Sequence, residues 1–144
     1  MEFQIKRIDQ SLPMPVFQTS GAVAFDLVAR ETIIIPARGI GLVPNNVIVN
    51  IPEGFMLIIA ARSSTLKKTG LMVGNGIGII DQDYFGPDDE IQTLFYNTMD
   101  TDVIVERGSR ISQAVFVKIE RGSLIESTAH FTKESRGGFG TTGD

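Results

Sequence analysis

Residues 40–61 read IGLVPNNVIVNIPEGFMLIIAA, and the reading of this stretch decides the fold class. Two apolar, β-branched runs, Ile40 to Ile51 and Phe55 to Ala61, are broken at Pro44-Asn45-Asn46 and separated by Pro52-Glu53-Gly54. The second break carries proline and glycine as a type II turn uses them. Short runs of this kind bounded by turn residues read as strands. The alternation continues outward in both directions. Phe3 to Ile8, Ala22 to Ala29 and Thr32 to Ile35 come before; Ile77 to Ile80, Ile91 to Tyr96, Val103 to Val105, Ile111 to Ile119 and Ser123 to Ile125 come after. Many short strands with a turn about every eight to twelve residues predict an all-β sandwich or barrel. Only Ser63 to Gly70 departs from the pattern. Opening with serines and closing with lysines and a glycine, it predicts a short helix or turn.

Composition bounds the function. A chain of 144 residues is one domain by size, and the absence of cysteine removes disulfides, thiolate metal sites and a cysteine nucleophile. The formal net charge of −4 argues against a general nucleic-acid surface while leaving room for a local basic pocket. No apolar run is long enough to span a membrane and no leader-like segment opens the chain, so a soluble cytoplasmic protein is the default expectation. The single histidine, His130, has no second histidine to share a metal with and reads as a structural or surface residue. A metal here would be a hard ion held by oxygens, with Mg²⁺ bridging phosphates the best fit.

Residues 74–86, GNGIGIIDQDYFG, break the strand rules with four glycines. The backbone there must turn tightly or admit a close neighbour. This segment reads as a hairpin that holds a small ligand against backbone groups, with Asp81 or Asp83 available as a base. Arg62-Ser63-Ser64 is a second candidate. A guanidinium, hydroxyls and free N–H groups at the start of a helical turn suit a phosphate, although a plain N-cap with a surface arginine is the simpler reading. Asp26, set in the apolar AVAFDL at 22–27, needs a partner such as an arginine, or a water held on a metal, if it is buried. In RGSRISQ at 107–113, Arg110 and Gln113 read equally well as ordinary edge residues.

The last residues, 132–144, carry four glycines and too little apolar surface for a core, so a domain over 1–131 and a C-terminal arm are expected. Within the arm, GFGTTG at 138–143 matches a dinucleotide fingerprint only formally, with neither a strand before it nor a helix after it. What remains is a set of exposed N–H groups beside Arg136 and Lys133, with Phe139 as a ring to stack.

Taken together, AVAFDL at 22–27, ARSS at 61–64, GNGIGIIDQDYFG at 74–86, RGSRISQ at 107–113 and RGGFGTTG at 136–143 resemble, in order and spacing, the five motifs of the all-β dUTPases. The resemblance implies a jelly-roll-like distorted β-barrel assembled as a homotrimer, with sites shared between chains and closed by the arm. It implies hydrolysis of dUTP to dUMP and pyrophosphate, which limits uracil in DNA and supplies dUMP for thymidylate synthesis. Asp81 would activate the water that attacks the α-phosphorus. Asn75 and the backbone of Gly78, Ile79 and Ile80 would read the uracil, and Tyr84 would lie against the sugar where a 2′-hydroxyl would clash. Arg62, Ser63, Ser64 and Gln113 would surround the phosphates, with Asp26 and Arg110 as structural support. Phe139, with Gly140 beside it, would cover the base. Mg²⁺ would ride on the triphosphate and its waters, without a direct protein ligand and with Asp26 as a neighbour.

Two departures stand out. The arm's arginine usually lies further before the phenylalanine than Arg136 does, so either Arg136 or Lys133 is the residue for the γ-phosphate. The Gly86 to Ile91 segment is also longer and more acidic than usual. The related dCTP deaminases share an RSS segment, but Leu94 stands where their glutamate base would be, three residues before Asn97.

Overall fold

The computed structural model describes residues 2–138. Among them are eleven strands and one short helix: β1 (Gln4–Arg7), β2 (Phe25–Val28), β3 (Ile33–Ile35), β4 (Ile40–Pro44), β5 (Val47–Asn50), β6 (Phe55–Ala61), α1 (Thr65–Thr69), β7 (Leu71–Val73), β8 (Gly78–Ile80), β9 (Gln92–Asn97), β10 (Val103–Val105) and β11 (Arg110–Lys118). All pairings are antiparallel. The strands form a four-stranded sheet in the order β2-β11-β6-β8, a three-stranded sheet β4-β9-β7, and the pairs β1-β5 and β3-β10. The fold is jelly-roll-like and nearly all β, as the spacing of apolar runs predicts.

The decisive stretch behaves as expected. Pro44-Asn45-Asn46 separates β4 from β5, with Asn46 at φ 65°. Between β5 and β6 the turn is type II, closed by Phe55 N–H donating to the Pro52 carbonyl at 3.1 Å, with Gly54 at φ 79°. Proline therefore occupies the first turn position and not the second. β6 lies inside its sheet between β11 and β8, and its faces differ: Leu57 and Ile59 are buried, Met56, Ile58 and Ala60 half-buried. Leu57 and Ile59 point into a core with Phe25, Leu27, Val49 and Ala114. A second core gathers Ile35, Val43, Leu71, Val73, Phe95 and Val105.

Three expectations need correction. β7 follows the helix directly and is not among the expected strands, because only Gly70 separates its apolar residues from the helical turn. Residues 74–86 are not a closed hairpin: β7 pairs with β9 and β8 pairs with β6, so the segment carries the chain from one sheet to the other. Ser123 to Ile125 is not a strand, because no sheet edge among the described residues pairs with it. Leu124 and Ile125 stand 103% and 89% exposed, and no regular element follows Lys118 among the described residues.

Candidate functional site

β6 organises the candidate residues by separating them. Ile80 of β8 lies opposite Leu57, which brings the next residue, Asp81, level with Met56 near the start of β6. Arg62 follows the strand's other end. At about 3.3 Å per residue the two lie roughly 20 Å apart.

The Asp81 end is open. β8 is the edge strand of its sheet, so its outer backbone groups have no strand partner among the described residues. Two glycines shape it. Gly76 sits at φ 79°, and a Cβ on Gly78 would come within 3.1 Å of the Ile59 Cβ, so a side chain there would press β8 away from β6. Asp81 and Asp83 line a cavity of about 580 Å³ with Met56, Phe85 and Arg121. Gln82, between them, donates from Nε2 to the Phe55 carbonyl at 2.8 Å and so anchors the turn to β6. Neither carboxylate has a hydrogen-bond or ion-pair partner among the described residues. Tyr84 is 39% exposed and donates to the Glu90 carbonyl at 3.3 Å.

The Arg62 end is tightly built. Asp26 in β2 accepts from Arg62 Nε at 2.7 Å and from Arg110 Nη1 at 3.2 Å. Arg62 Nη1 also donates to the Arg110 carbonyl at 3.2 Å. Arg110 reaches Asp26 because β11 bulges between Arg110 and Ser112, slipping one residue against β2. Gln113, opposite Asp26, donates to the Ala61 carbonyl at 3.0 Å. Ser64 stands at the N-cap position of α1 without making a side-chain capping hydrogen bond, so the expected serine cap is not formed, and Ser63 before it is exposed. A cavity of about 330 Å³ lies here, lined by Arg62, Ser64, Lys68, Ser109 and Arg110. Three cations and four hydroxyl residues, Thr65 and Thr69 being the other two, suit an anion of several charges.

The arm is exposed and without regular structure through Lys133 and Arg136. Phe139 and Gly140 lie outside the described residues. Sequence reasoning missed Lys68, although it stands one helical turn after Ser64. It also missed Arg121, which no motif marks. The acidic Gly86 to Ile91 segment gains a structural account. Glu90 is buried, takes Arg30 Nε and Nη2 at 2.9 Å each, and accepts the Asn46 N–H at 2.8 Å. It therefore pins the β4–β5 turn.

The dUTPase family model matches residues 10–143, nearly the whole chain. The chain belongs to the dUTPase family. A relative from Mesorhizobium japonicum, named deoxyuridine 5'-triphosphate nucleotidohydrolase, is 39% identical over 93% of this chain and 84% of its own length. A Rickettsia typhi relative of the same name is 37% identical over 99% of this chain and 97% of its own. Among solved structures, a dUTPase from Streptococcus mutans aligns with TM-score 0.75 at 32% identity, over 88% of this chain and all of that one. The Staphylococcus bacteriophage 80alpha dUTPase, solved with dUPNHPP, aligns with TM-score 0.85 at 23% identity, over 99% of this chain and 98% of that one, a likeness of fold. Membership of the dUTPases assigns the chain the activity of a dUTP diphosphatase. No helix among the described residues is long and apolar enough to cross a membrane.

Proposed function

We propose that the chain hydrolyses dUTP to dUMP and pyrophosphate in sites shared between the subunits of a homotrimer, with Asp81 of one chain facing the Arg62 turn of another. The observation that carries this reading is the separation along β6. A base and a phosphate cradle roughly 20 Å apart cannot serve one α-phosphorus inside a single chain, whereas a symmetric assembly brings the two ends together. Exposed apolar side chains give such an assembly surface to bury. Ile34 and Ile104, opposite each other in β3 and β10, are 61% and 57% exposed, and Ile40 and Leu42 of β4 are 62% and 54% exposed.

In this reading the uracil lies along the free edge of β8, where Asn75 and the backbone of Gly78, Ile79 and Ile80 meet its polar edge. A base with the wrong hydrogen-bond pattern leaves buried groups unpaired and is refused. Tyr84 lies against the deoxyribose. Asp81 takes the proton of the attacking water as its oxygen forms a bond to the α-phosphorus and pyrophosphate departs. An unpaired carboxylate is free to accept that proton, a contribution of roughly 10²- to 10⁴-fold in rate. Arg62, Ser63, Ser64 and Gln113 hold the phosphates and stabilise charge on the leaving group. The arm, 132–144, closes over the site, with Arg136 or Lys133 at the γ-phosphate and Phe139 over the base, and the domain it leaves covers 1–131.

No three His, Cys, Asp or Glu side chains cluster to hold a metal among the described residues, and both Asp26 oxygens accept from guanidinium groups. Mg²⁺ therefore fits as an ion carried on the triphosphate and its waters, where it would neutralise phosphate charge. A cytoplasmic setting, where dUTP arises, follows from the substrate.

Mixing tests the shared site. Asp81→Asn chains and Arg62→Ala chains, each inactive alone, should regain activity when unfolded and refolded together. In randomly mixed trimers, roughly a quarter of the sites pair an intact Asp81 with an intact Arg62. Pyrophosphate release that stays at the level of the separate variants, from mixed trimers verified by mass, would rule the shared site out.

A further inference from the structure

Tyr84 is tied at both ends. Its backbone N–H donates to the Asp81 carbonyl at 3.3 Å, and its phenol donates to the Glu90 carbonyl at 3.3 Å. Between these points the acidic segment folds on itself: Gly86 N–H donates to Asp89 Oδ2 at 2.6 Å, and Glu90 N–H to the Asp88 carbonyl at 2.9 Å. Glu90 is held from the opposite side as well. Its carboxylate takes Arg30 at two nitrogens and the Asn46 N–H, and the next residue, Ile91, is fully buried with its N–H on the Val47 carbonyl at 2.9 Å. The atom that receives the tyrosine hydroxyl is thus fixed by an arginine sixty positions away in sequence.

We propose that the Arg30–Glu90 pair is a specificity-determining positioning element, which acts through the Glu90 carbonyl to hold the Tyr84 ring in place and so sharpens the choice of deoxyribose over ribose. The inference rests on the reading of Tyr84 as the sugar-facing residue. Refusal of a 2′-hydroxyl by contact is only as strong as the ring is immobile, because a ring free to rotate about its side-chain bonds steps aside. Tyr84 is 39% exposed, so neighbouring side chains do not cage it and the tether at the hydroxyl supplies the restraint. Neither Arg30 nor Glu90 touches substrate in this arrangement.

The test compares kcat/KM for dUTP and UTP in four variants. Tyr84→Phe keeps the ring and removes the tether; it should raise UTP relative to dUTP by about 3- to 10-fold, the worth of one net hydrogen bond. The change should appear in KM for UTP more than in its kcat. Glu90→Gln should shift the ratio the same way. Tyr84→Phe combined with Glu90→Gln should shift it no further, since both cut one connection. Tyr84→Ala separates the two readings. If it collapses the dUTP to UTP ratio while Tyr84→Phe leaves the ratio intact, the tether is wrong and the sugar-facing reading stands. If Tyr84→Ala also leaves the ratio intact, Tyr84 does not face the sugar and both fall. Should Glu90→Gln not fold, Tyr84→Phe still decides.

Discussion

Asp26 and Asp81 are the same residue set at opposite ends of one sheet, and their surroundings differ in every respect. Asp26 is 12% exposed at its side chain and spends both oxygens on guanidinium groups. Asp81 faces a cavity with no hydrogen-bond partner among the described residues. A carboxylate whose lone pairs are occupied by permanent cations is a structural anchor, because removing it strands those cations. One whose lone pairs are free can take a proton from a water molecule. The chain therefore holds Arg62 and Arg110 with one aspartate and leaves the other uncommitted.

The sharpest way to break this comparison is Asp81→Asn. The change keeps size and removes basicity, so kcat should fall roughly 10²- to 10⁴-fold while nucleotide affinity and melting temperature stay close to the parent. Calorimetric binding measured beside pyrophosphate release checks it, and an undiminished kcat would remove Asp81 from the chemistry. Next in size is deletion of residues 132–144. The described part of the arm, through residue 137, is exposed and contributes little to the core, so the unfolding midpoint should hold while turnover drops roughly 10²-fold with the loss of a closing element. Circular dichroism and kinetics on the same preparation test both halves.

Asp26→Ala should do the reverse and act on stability first. It leaves Arg62 and Arg110 without their carboxylate and is expected to cost about 1–3 kcal/mol, at the lower end because water screens the half-exposed Arg110. A shift of the urea midpoint reads this out, and a variant as stable as the parent would show that the two arginines need no anchor. The smallest effect belongs to Asp9. Hydrogen bonds from the Ser11 hydroxyl, from Arg107 and from the Ser11 N–H hold its carboxyl well below the usual aspartate range. A folded value below the unfolded one gives stability that is present above about pH 4 and lost as pH falls through the folded value. Parent and Asp9→Asn melting curves should therefore differ at neutral pH and converge in acid. A gap that widens on acidification would reverse that sign.

Strand content was legible because it rests on local chemistry. Phe55 to Ala61 and Val103 to Val105 begin and end where the apolar runs do, and Ser63 to Gly70 does contain a helical turn closed by Gly70 at φ 72°. The family motifs were legible for the same reason, since each is a short run whose residue types carry its chemistry. Leu124 and Ile125 show the limit. They have strand propensity, yet a strand exists only where another edge accepts its hydrogen bonds, and no such edge among the described residues pairs with them.

By itself, then, the sequence determined the all-β class, the turns, the helix and the candidate residues of a dUTPase. Tertiary structure decided that β7 and β8 part company into different sheets, that Glu90 clasps Arg30, and that Asp81 and Arg62 stand at opposite ends of β6. The reason is physical. Turn and strand preferences are settled among neighbours a few residues apart, whereas pairing, register and ion-pair partners depend on which distant segments are brought side by side, and no local run of residues records that distance.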